Sequence, residues 1–168
     1  QLSSRDKNWI IDVLAVPDLG LLMNMFNNRG ILKIFHDISF DFRILFSQYN
    51  CVPKYFFDTQ MGALFLGDEK LGLGSQLEKY FGVVCEKKFQ QVDWTRRPLS
   101  SEMLAYAVQD TMYLLPLYDS EISKLMSALA AHPKTPVDAA ALKKAIEDKS
   151  LRGAITALYD INAFTPDE

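Results

Sequence analysis

Hydrophobic and polar positions follow two different periods in the first part of the chain. Two short apolar runs bounded by polar residues, NWIIDVL (8–14) and ILKIFHD (31–37), predict strands buried on both faces. Between them, PDLGLLMNMFNN (17–28) spaces its large apolar residues at helical intervals. A strand, a helix and a second strand in this order predict a parallel pair with a right-handed crossover.

The following segments continue the alternation of helices and strands. Ser39 is placed to cap a helix through FDFRILFSQY (40–49), and KYFFD (54–58) predicts a third strand. TQMGALFLG (59–67) and SQLEKYFG (75–82) predict two helices, each ended by its final glycine. The pattern predicts an α/β class, with helices covering a sheet that is at least partly parallel.

The C-terminal half is predicted to be a loop followed by helices. CEKKFQQVDWTRRP (85–98) predicts an exposed basic and aromatic loop. Ser100 is placed to cap a long helix that runs to about residue 130, with a kink expected at Pro116. HPKTP (132–136) has two prolines and predicts a linker. We therefore expect a domain over residues 1–130, then a linker and short helical extension over 131–168.

The apolar side of the long helix contains a tyrosine and a carboxylate. Asp110 follows Tyr106 by four residues, so the phenol and the carboxylate project from one face. In one interpretation Asp110 is buried and must be hydrogen-bonded, ion-paired or bound to a metal. In the other, which spacing alone favours, Asp110 lies at the edge of a wide apolar face and reaches water. The predicted core stripe comprises Met103, Tyr106, Ala107, Asp110, Leu114 and Leu117.

Further polar side chains follow the predicted strands. Asp41 falls just past a buried strand, where ligands bind in parallel α/β sheets, although a first-turn acid favoured by the helix dipole is common. Asp58 fits a helix cap equally well, and His36 fits a polar residue satisfied within the fold. Asp41 and Asp110, on different elements, suit a magnesium site beside Tyr106, which could orient or deprotonate a water.

Composition and charge narrow the class of protein. The 168 residues are 49% hydrophobic and 23% charged with a net charge of −3, as in an ordinary globular domain. No apolar run reaches the roughly 18 residues of a membrane span. Two cysteines without a CxxC pattern and two histidines argue against structural zinc and fit a reducing compartment. The pI of 5.4 argues against a large polyanion-binding surface, but not against a local basic patch or a metal site made of carboxylates.

The loop over residues 85–98 is the candidate for that basic patch. Its cations surround Phe89 and Trp94, a mixture suited to phosphates and stacked bases. A solvated charged loop around a buried tryptophan is equally compatible with the sequence. The predicted nucleic-acid contacts are His36, Lys87, Lys88, Trp94, Arg96 and Arg97.

Three stretches taken together resemble one enzyme family. They are KIFHDISFDFRILF (33–46), FFDTQMGALFLG (56–67) and KKFQQVDWTRRPLSSEMLAYAVQDTMYLLPLYD (87–119). Over about residues 1–125, the chain is similar to the DEDDy 3'-5' exonucleases of the ribonuclease D type, and the matching stretches occur in the same order. Within that family it most resembles the exoribonuclease attached to the eukaryotic nuclear RNA exosome.

The resemblance implies a fold, an activity and a set of site residues. The fold would be RNase H-like, a mixed sheet flanked by helices. The activity would be hydrolysis of single-stranded RNA from its 3' end to nucleoside 5'-monophosphates, with two Mg²⁺ ions for which Mn²⁺ substitutes. Asp41 matches the second family motif, and Tyr106 and Asp110 match the third, with both aspartates as metal ligands. The resemblance also implies exosome association and a nuclear location, with no membrane partner.

The chain departs from the family pattern at the first motif. Relatives carry an Asp-x-Glu on a first strand, which should precede QLSS (1–4). Asp12 is no substitute for this motif, because residue 14 is not acidic. The family has a structural aspartate at the position of Asp12. We therefore expect an upstream segment of the natural protein to supply that strand, and this chain to be weak or inactive alone.

Two other functions stay open from the sequence. One is a pseudo-nuclease that binds RNA or a protein without cleaving, and the other is a scaffold piece completed by another chain. DNA also stays open as a substrate, because nothing in the sequence reads a 2'-hydroxyl.

Overall fold

Short strands and longer helices alternate along the computed structural model, which describes residues 1–85, 88–89 and 91–131. The described strands are β1 (Leu2–Ser3), β2 (Asn8–Trp9), β3 (Lys33–Phe35) and β4 (Phe56–Asp58). The described helices are α1 (Gly20–Asn27), α2 (Ile38–Tyr49), α3 (Thr59–Phe65), α4 (Leu73–Phe81), α5 (Ser101–Met112) and α6 (Leu114–Ala130). The predicted linker and helical extension lie outside the described residues, apart from residue 131.

The four strands form two separate pairs within the described part of the chain. β1 and β2 are antiparallel, with Leu2 opposite Trp9. β3 and β4 are parallel, with Lys33 opposite Phe56 and Phe35 opposite Asp58. The predicted α/β class is therefore confirmed, and both strand orientations of the predicted mixed sheet occur, but the two pairs are not hydrogen-bonded to each other.

The strand predicted over residues 8–14 is mostly absent. β2 ends at Trp9, and Val13 and Leu14 are exposed. The chain turns instead at Asp12, because its Oδ1 accepts a hydrogen bond from the Leu14 N–H at 3.1 Å. The prediction of a strand buried on both faces was thus wrong. Its predicted parallel pairing with the strand at 31–37 was also wrong, because β3 pairs with β4 instead.

A single carboxylate organises the start of two helices. Asp58 accepts hydrogen bonds at 3.0 Å from the backbone N–H groups of Asp37 and Ile38, where α2 begins. It also accepts one at 2.9 Å from the Gln60 N–H at the start of α3, which confirms the predicted cap. Ser39, the predicted cap of α2, lies inside the helix and donates to Asp37 at 2.5 Å instead.

The predicted long helix is interrupted. Ser100 caps α5 as predicted, accepting a hydrogen bond from the Met103 N–H at 3.1 Å. The chain then leaves the helix at Tyr113 and continues as α6. Pro116 accounts for this break, because a proline has no N–H for the residue 112 carbonyl and its ring clashes with that group.

The core lies where α6 packs against α3, α4, α5 and β3. Leu77 and Leu117 are fully buried there, and each contributes about 1.5–3 kcal/mol through removal of apolar surface from water. Buried apolar residues of the described part are Phe26, Cys51, Ala63, Leu77, Ala107, Leu114 and Leu117. Among the described helices, none combines the length and apolar character that a membrane span requires.

Candidate active site

Two exposed carboxylates of the predicted site lie on different helices. Asp41 lies in the first turn of α2, and Asp110 lies in the last turn of α5. The helix that carries Asp110 also contacts β1 and β2.

The protein around these carboxylates shifts their ionisation. Burial raises the pKa of both Asp41 and Asp110. The carboxylates of Asp37 and Asp58 raise the pKa of Asp41 further. Both side chains nevertheless remain exposed to solvent, and water limits the effect. Asp41 and Asp110 are therefore accessible to a cation from solvent.

The exposure of Asp110 decides between the two interpretations of the apolar face of the long helix. Ala107, Leu114 and Leu117 of the predicted stripe are buried, whereas Asp110 is exposed. The interpretation with Asp110 buried was thus wrong, and the interpretation that spacing favoured, with Asp110 reaching water, is confirmed. The helix instead has a wide apolar face, with the carboxylate at its edge beside the half-buried ring of Tyr106.

The carboxylates of Asp41 and Asp110 offer the oxygen donors that a hard divalent cation prefers. Mg²⁺ keeps several waters and binds proteins through one or two carboxylates together with substrate phosphates. Asp41 and Asp110 supply such a pair of carboxylates. Within residues 1–85, 88–89 and 91–131, no group of three or more His, Cys, Asp and Glu side chains could hold a metal ion. Asp41 and Asp110 are thus candidate carboxylate ligands for a divalent cation, and no larger ligand cluster accompanies them among the described residues.

Tyr106 packs against two rings of the basic loop. Its ring centroid lies 5.5 Å from that of Phe89 and 6.1 Å from that of Trp94. Beside it is a shallow depression of about 280 Å³. The residues that line the depression are Lys88, Phe89, Glu102, Ala105, Tyr106 and Gln109.

Two of the predicted nucleic-acid contacts reach solvent. The side chain of Lys88 is 61% exposed and pairs with Glu102 at 2.8 Å. The side chain of Arg96 is 83% exposed and lies 3.4 Å from Asp93. Such surface ion pairs are weak, so both cations can also meet phosphates. Lys87 lies outside the described residues.

Arg97, in contrast, is tied into the fold. Its guanidinium donates two hydrogen bonds of 2.6 Å to the carboxylate of Asp12, which lies 85 residues earlier. This bidentate pair lowers the pKa of Asp12. Asp12 therefore has a structural contact, in agreement with its expected structural role. No local pattern indicates this pairing, because the two residues are so far apart along the chain.

His36 is also held within the fold. Its Nδ1 is 2.8 Å from Oγ1 of Thr59, which itself donates to the Phe35 carbonyl at 3.0 Å. Nε2 is buried near the backbone of Leu71, without a hydrogen bond of good geometry. Burial lowers the pKa of His36, although Asp58 and Asp37 oppose the shift. The imidazole thus joins β3 to the start of α3.

Sequence reasoning missed two parts of this region. The double role of Asp58 escaped notice, since the sequence FDTQ signals the cap of α3 but not that of α2. Glu121 on α6 also escaped notice, although it is fully buried with no hydrogen-bond partner for either carboxylate oxygen. Nothing local in the sequence distinguishes it from an exposed helical glutamate.

Comparison with known proteins identifies relatives of the described domain. Ribonuclease D of Haemophilus influenzae is 35% identical over 128 residues, which are 74% of this chain and 32% of that protein. The exosome complex exonuclease RRP6 of Saccharomyces cerevisiae is 33% identical over 129 residues, which are 76% of this chain and 18% of that protein. The chain therefore spans about a third or less of the length of these relatives.

A solved structure shows the same architecture. Escherichia coli RNase D, an exoribonuclease involved in structured RNA processing, matches with a TM-score of 0.64 and 26% identity. The match covers 85% of this chain and 36% of that structure. The fold is therefore RNase H-like, as in the exonuclease domains of RNase D and RRP6. Residues 1–126, which include Asp41, Tyr106 and Asp110, match the DNA_pol_A_exo1 family model, and the chain belongs to this family of 3'-5' exonucleases.

Proposed function

We propose that this chain is the catalytic domain of a metal-dependent 3'-5' exoribonuclease that releases nucleoside 5'-monophosphates from single-stranded RNA. The observation that carries the proposal is the exposure of two carboxylates, Asp41 on α2 and Asp110 on α5. The membership of residues 1–126 in a 3'-5' exonuclease family supports the reaction type.

The proposed chemistry is hydrolysis of the last phosphodiester. Asp41 and Asp110 would hold Mg²⁺, or Mn²⁺ in its place, and the bound ion would supply charge neutralisation at the phosphate and an activated water. The second ion of the family mechanism would need ligands beyond the described residues. Tyr106 lies one helical turn before Asp110 and would orient the attacking water.

Hydrolysis proceeds by direct attack of water, without a covalent intermediate. The water oxygen bonds to the terminal phosphorus while the bond from phosphorus to the 3' oxygen of the penultimate nucleotide breaks. That 3' oxygen takes a proton and remains as the new RNA end. The phosphate stays bonded to the 5' oxygen of the released nucleotide.

RNA contacts are assigned to the exposed cations of the loop. Lys88 and Arg96 would bind phosphates near the cleaved end, and Lys87 remains a predicted contact. The internal contacts of His36, Trp94 and Arg97 favour roles within the fold.

Exosome association and a nuclear location are part of the proposal for the natural protein. The similarity to the yeast exosome exonuclease supports them. The similarity to a bacterial ribonuclease D indicates that this domain also occurs in proteins of cells without a nucleus. Co-purification of the natural protein from nuclear extract, with and without ribonuclease treatment, tests the association directly.

The test of activity uses the full natural protein and a 5'-labelled single-stranded RNA with Mg²⁺. We expect stepwise shortening from the 3' end, and loss of at least about a hundredfold in rate for Asp110→Asn and Asp41→Asn, because each removes an anionic ligand. Both variants should bind RNA nearly as tightly as the wild type. The matched control is Glu69→Gln, an exposed acid in the loop before α4.

The possible results separate the candidate functions. Normal turnover by Asp110→Asn contradicts the assignment of the site. RNA binding without shortening in the wild type indicates a pseudo-nuclease. Equal shortening of matched single-stranded DNA contradicts the restriction to RNA.

A further inference from the structure

We propose that Trp94 and Phe89 position Tyr106 for the reaction, and that the ion pair between Arg97 and Asp12 anchors Trp94. This inference rests on the proposed function. It gives Trp94 and Arg97 a role other than the predicted contact with RNA. The arrangement is called the tyrosine clamp below and comprises Asp12, Phe89, Trp94, Arg97 and Tyr106.

Two rings of the tyrosine clamp lie beside the Tyr106 ring. The Phe89 ring is inclined by 59° to the Tyr106 ring, and the Trp94 ring by 31°. Both contacts come from the loop that precedes α5, whereas Tyr106 projects from α5 itself. Because two neighbours contact the same ring, they restrict the side-chain torsions of Tyr106.

The Trp94 ring is itself fixed to its own loop. Its indole N–H donates a hydrogen bond to the Phe89 carbonyl at 3.2 Å. This bond joins the two residues that contact Tyr106, so they act as one unit. The indole is half-buried, and its only polar atom is used within the loop.

Arg97 connects this unit to the body of the domain. Its Nη1 donates to the Trp94 carbonyl at 2.9 Å, while Nε and Nη2 donate to Asp12 at 2.6 Å. The planar guanidinium can satisfy all three acceptors at once, which a lysine cannot do. A series of direct contacts therefore runs from the turn after β2, through Arg97 and Trp94, to Tyr106.

The position of Tyr106 matters because its proposed role is orientation. A displacement of about 1 Å in a catalytic group can lower a rate a hundredfold. Tyr106 and Asp110 share one helix, so α5 fixes their spacing along the chain. The ring direction is not fixed by the helix, and the tyrosine clamp supplies that restriction.

The kinetic test compares Trp94→Ala with Trp94→Phe in the full natural protein, on single-stranded RNA with Mg²⁺. We expect Trp94→Ala to lower kcat about tenfold to a hundredfold, and Trp94→Phe to recover most of that loss because it keeps a ring. KM, and the Kd for RNA measured without divalent ions, should change by less than about threefold. Arg97→Gln should lower kcat in the same direction. Trp9→Ala, at a 46% exposed position in β2, is the matched control.

A second measurement reports the tyrosine clamp without activity. In tyrosine-labelled protein, the ring protons of Tyr106, assigned with Tyr106→Phe, should be shifted upfield by the two adjacent rings. Trp94→Ala should reduce this shift, and Trp94→Phe should retain most of it. Phe89→Leu, which keeps bulk but removes the second ring, provides the same comparison if Trp94→Ala does not fold.

The outcomes are distinguishable. A raised KM and Kd with unchanged kcat in Trp94→Ala would show that Trp94 contacts RNA, which overturns the inference. A lost upfield shift with unchanged kcat overturns it as well. Absence of hydrolysis by the wild type refutes the proposed function and, with it, the catalytic role of the tyrosine clamp. The upfield shift would then identify these contacts as purely structural.

Discussion

At the scale of single residues, the carboxyl group of Glu121 is the clearest case of a side chain altered by its surroundings. It is fully buried on α6, and neither oxygen has a hydrogen-bond partner among the described residues. Burial, with the charges of Asp68 and Asp58, raises its pKa to about 8 against the opposing effects of Lys79 and Lys124. Glu121 is therefore mostly protonated at pH 7.

This shift predicts how stability depends on pH. The folded pKa of Glu121 is above its unfolded value of 4.5, so the folded state holds the proton more tightly. Its contribution to stability is complete below pH 4.5 and is lost as the pH rises to about 8. The loss is about 1.4 kcal/mol for each pH unit in that window.

Glu121→Gln isolates this contribution, because the amide has nearly the same shape and does not ionise. Shape matters here, since a Cβ built on Gly62 would overlap the Glu121 carboxyl group and lie 2.9 Å from Phe57. In urea denaturation, we expect the variant and the wild type to be similar at pH 5 and the variant to be more stable at pH 9. Glu69→Gln is the exposed control. A constant difference between variant and wild type at all pH values contradicts the shifted pKa.

At the residue scale, the sequence indicated which residues belong to the candidate site better than it indicated the exposure and the partners of each residue. Asp41, Tyr106 and Asp110 were proposed from spacing and from resemblance to a family, and in the structure both aspartates are exposed on separate helices. The exposure of Asp110 could not be decided, because helical spacing does not define how wide the apolar face is. The partner of Arg97 could not be found either, since it depends on where the turn at Asp12 lies in space.

At the scale of elements, Asp58 links the starts of α2 and α3 and so controls where Asp41 lies. Replacing it by alanine removes the acceptor for three backbone N–H groups. We expect Asp58→Ala to lower the free energy of unfolding by about 2–3 kcal/mol, because a single lost cap costs about 1 kcal/mol. Urea denaturation at pH 7 measures this loss.

Asp18 offers a matched control for this prediction. It is exposed and accepts one hydrogen bond, from the Gly20 N–H at 2.7 Å, where α1 begins. Asp18→Ala should cost only about 0.5–1 kcal/mol. Equal losses in the two variants would mean that Asp58 acts as an ordinary cap of one helix.

Elements defined by local signals were predicted well, and those defined by distant contacts were not. Ser100 begins α5, and Gly82 ends α4 in the left-handed conformation that glycine tolerates. The run NWIIDVL was misjudged, because Asp12 forms a local turn and then pairs with Arg97. The start of α2 was misplaced by two residues, since the acceptor for its first N–H groups is Asp58 of β4 rather than Ser39.

At the scale of the whole molecule, the net charge of −3 opposes binding of a polyanion. RNA affinity must therefore depend on local cations, and composition predicted only that such a patch was possible. Of the two arginines side by side in the loop, Arg97 is paired with Asp12, whereas the Arg96 side chain is 83% exposed. The two should therefore differ sharply in their effect on RNA binding.

Arg96→Gln tests this difference through the salt dependence of RNA affinity. Each phosphate contact on a single strand contributes about 0.7 to the slope of log K against log salt concentration. We expect Arg96→Gln to weaken binding and to reduce the slope by about that amount. The measurement is fluorescence anisotropy of a labelled single-stranded RNA without divalent ions, between 50 and 200 mM salt.

The control is Arg29→Gln, which removes the same charge from an exposed position between α1 and β3. It lowers the net charge equally, so a general effect of charge would appear in both variants. A reduction of the slope only in Arg96→Gln places a phosphate at the loop before α5. Equal slopes in both variants would show that the overall charge governs affinity and that Arg96 does not contact the RNA.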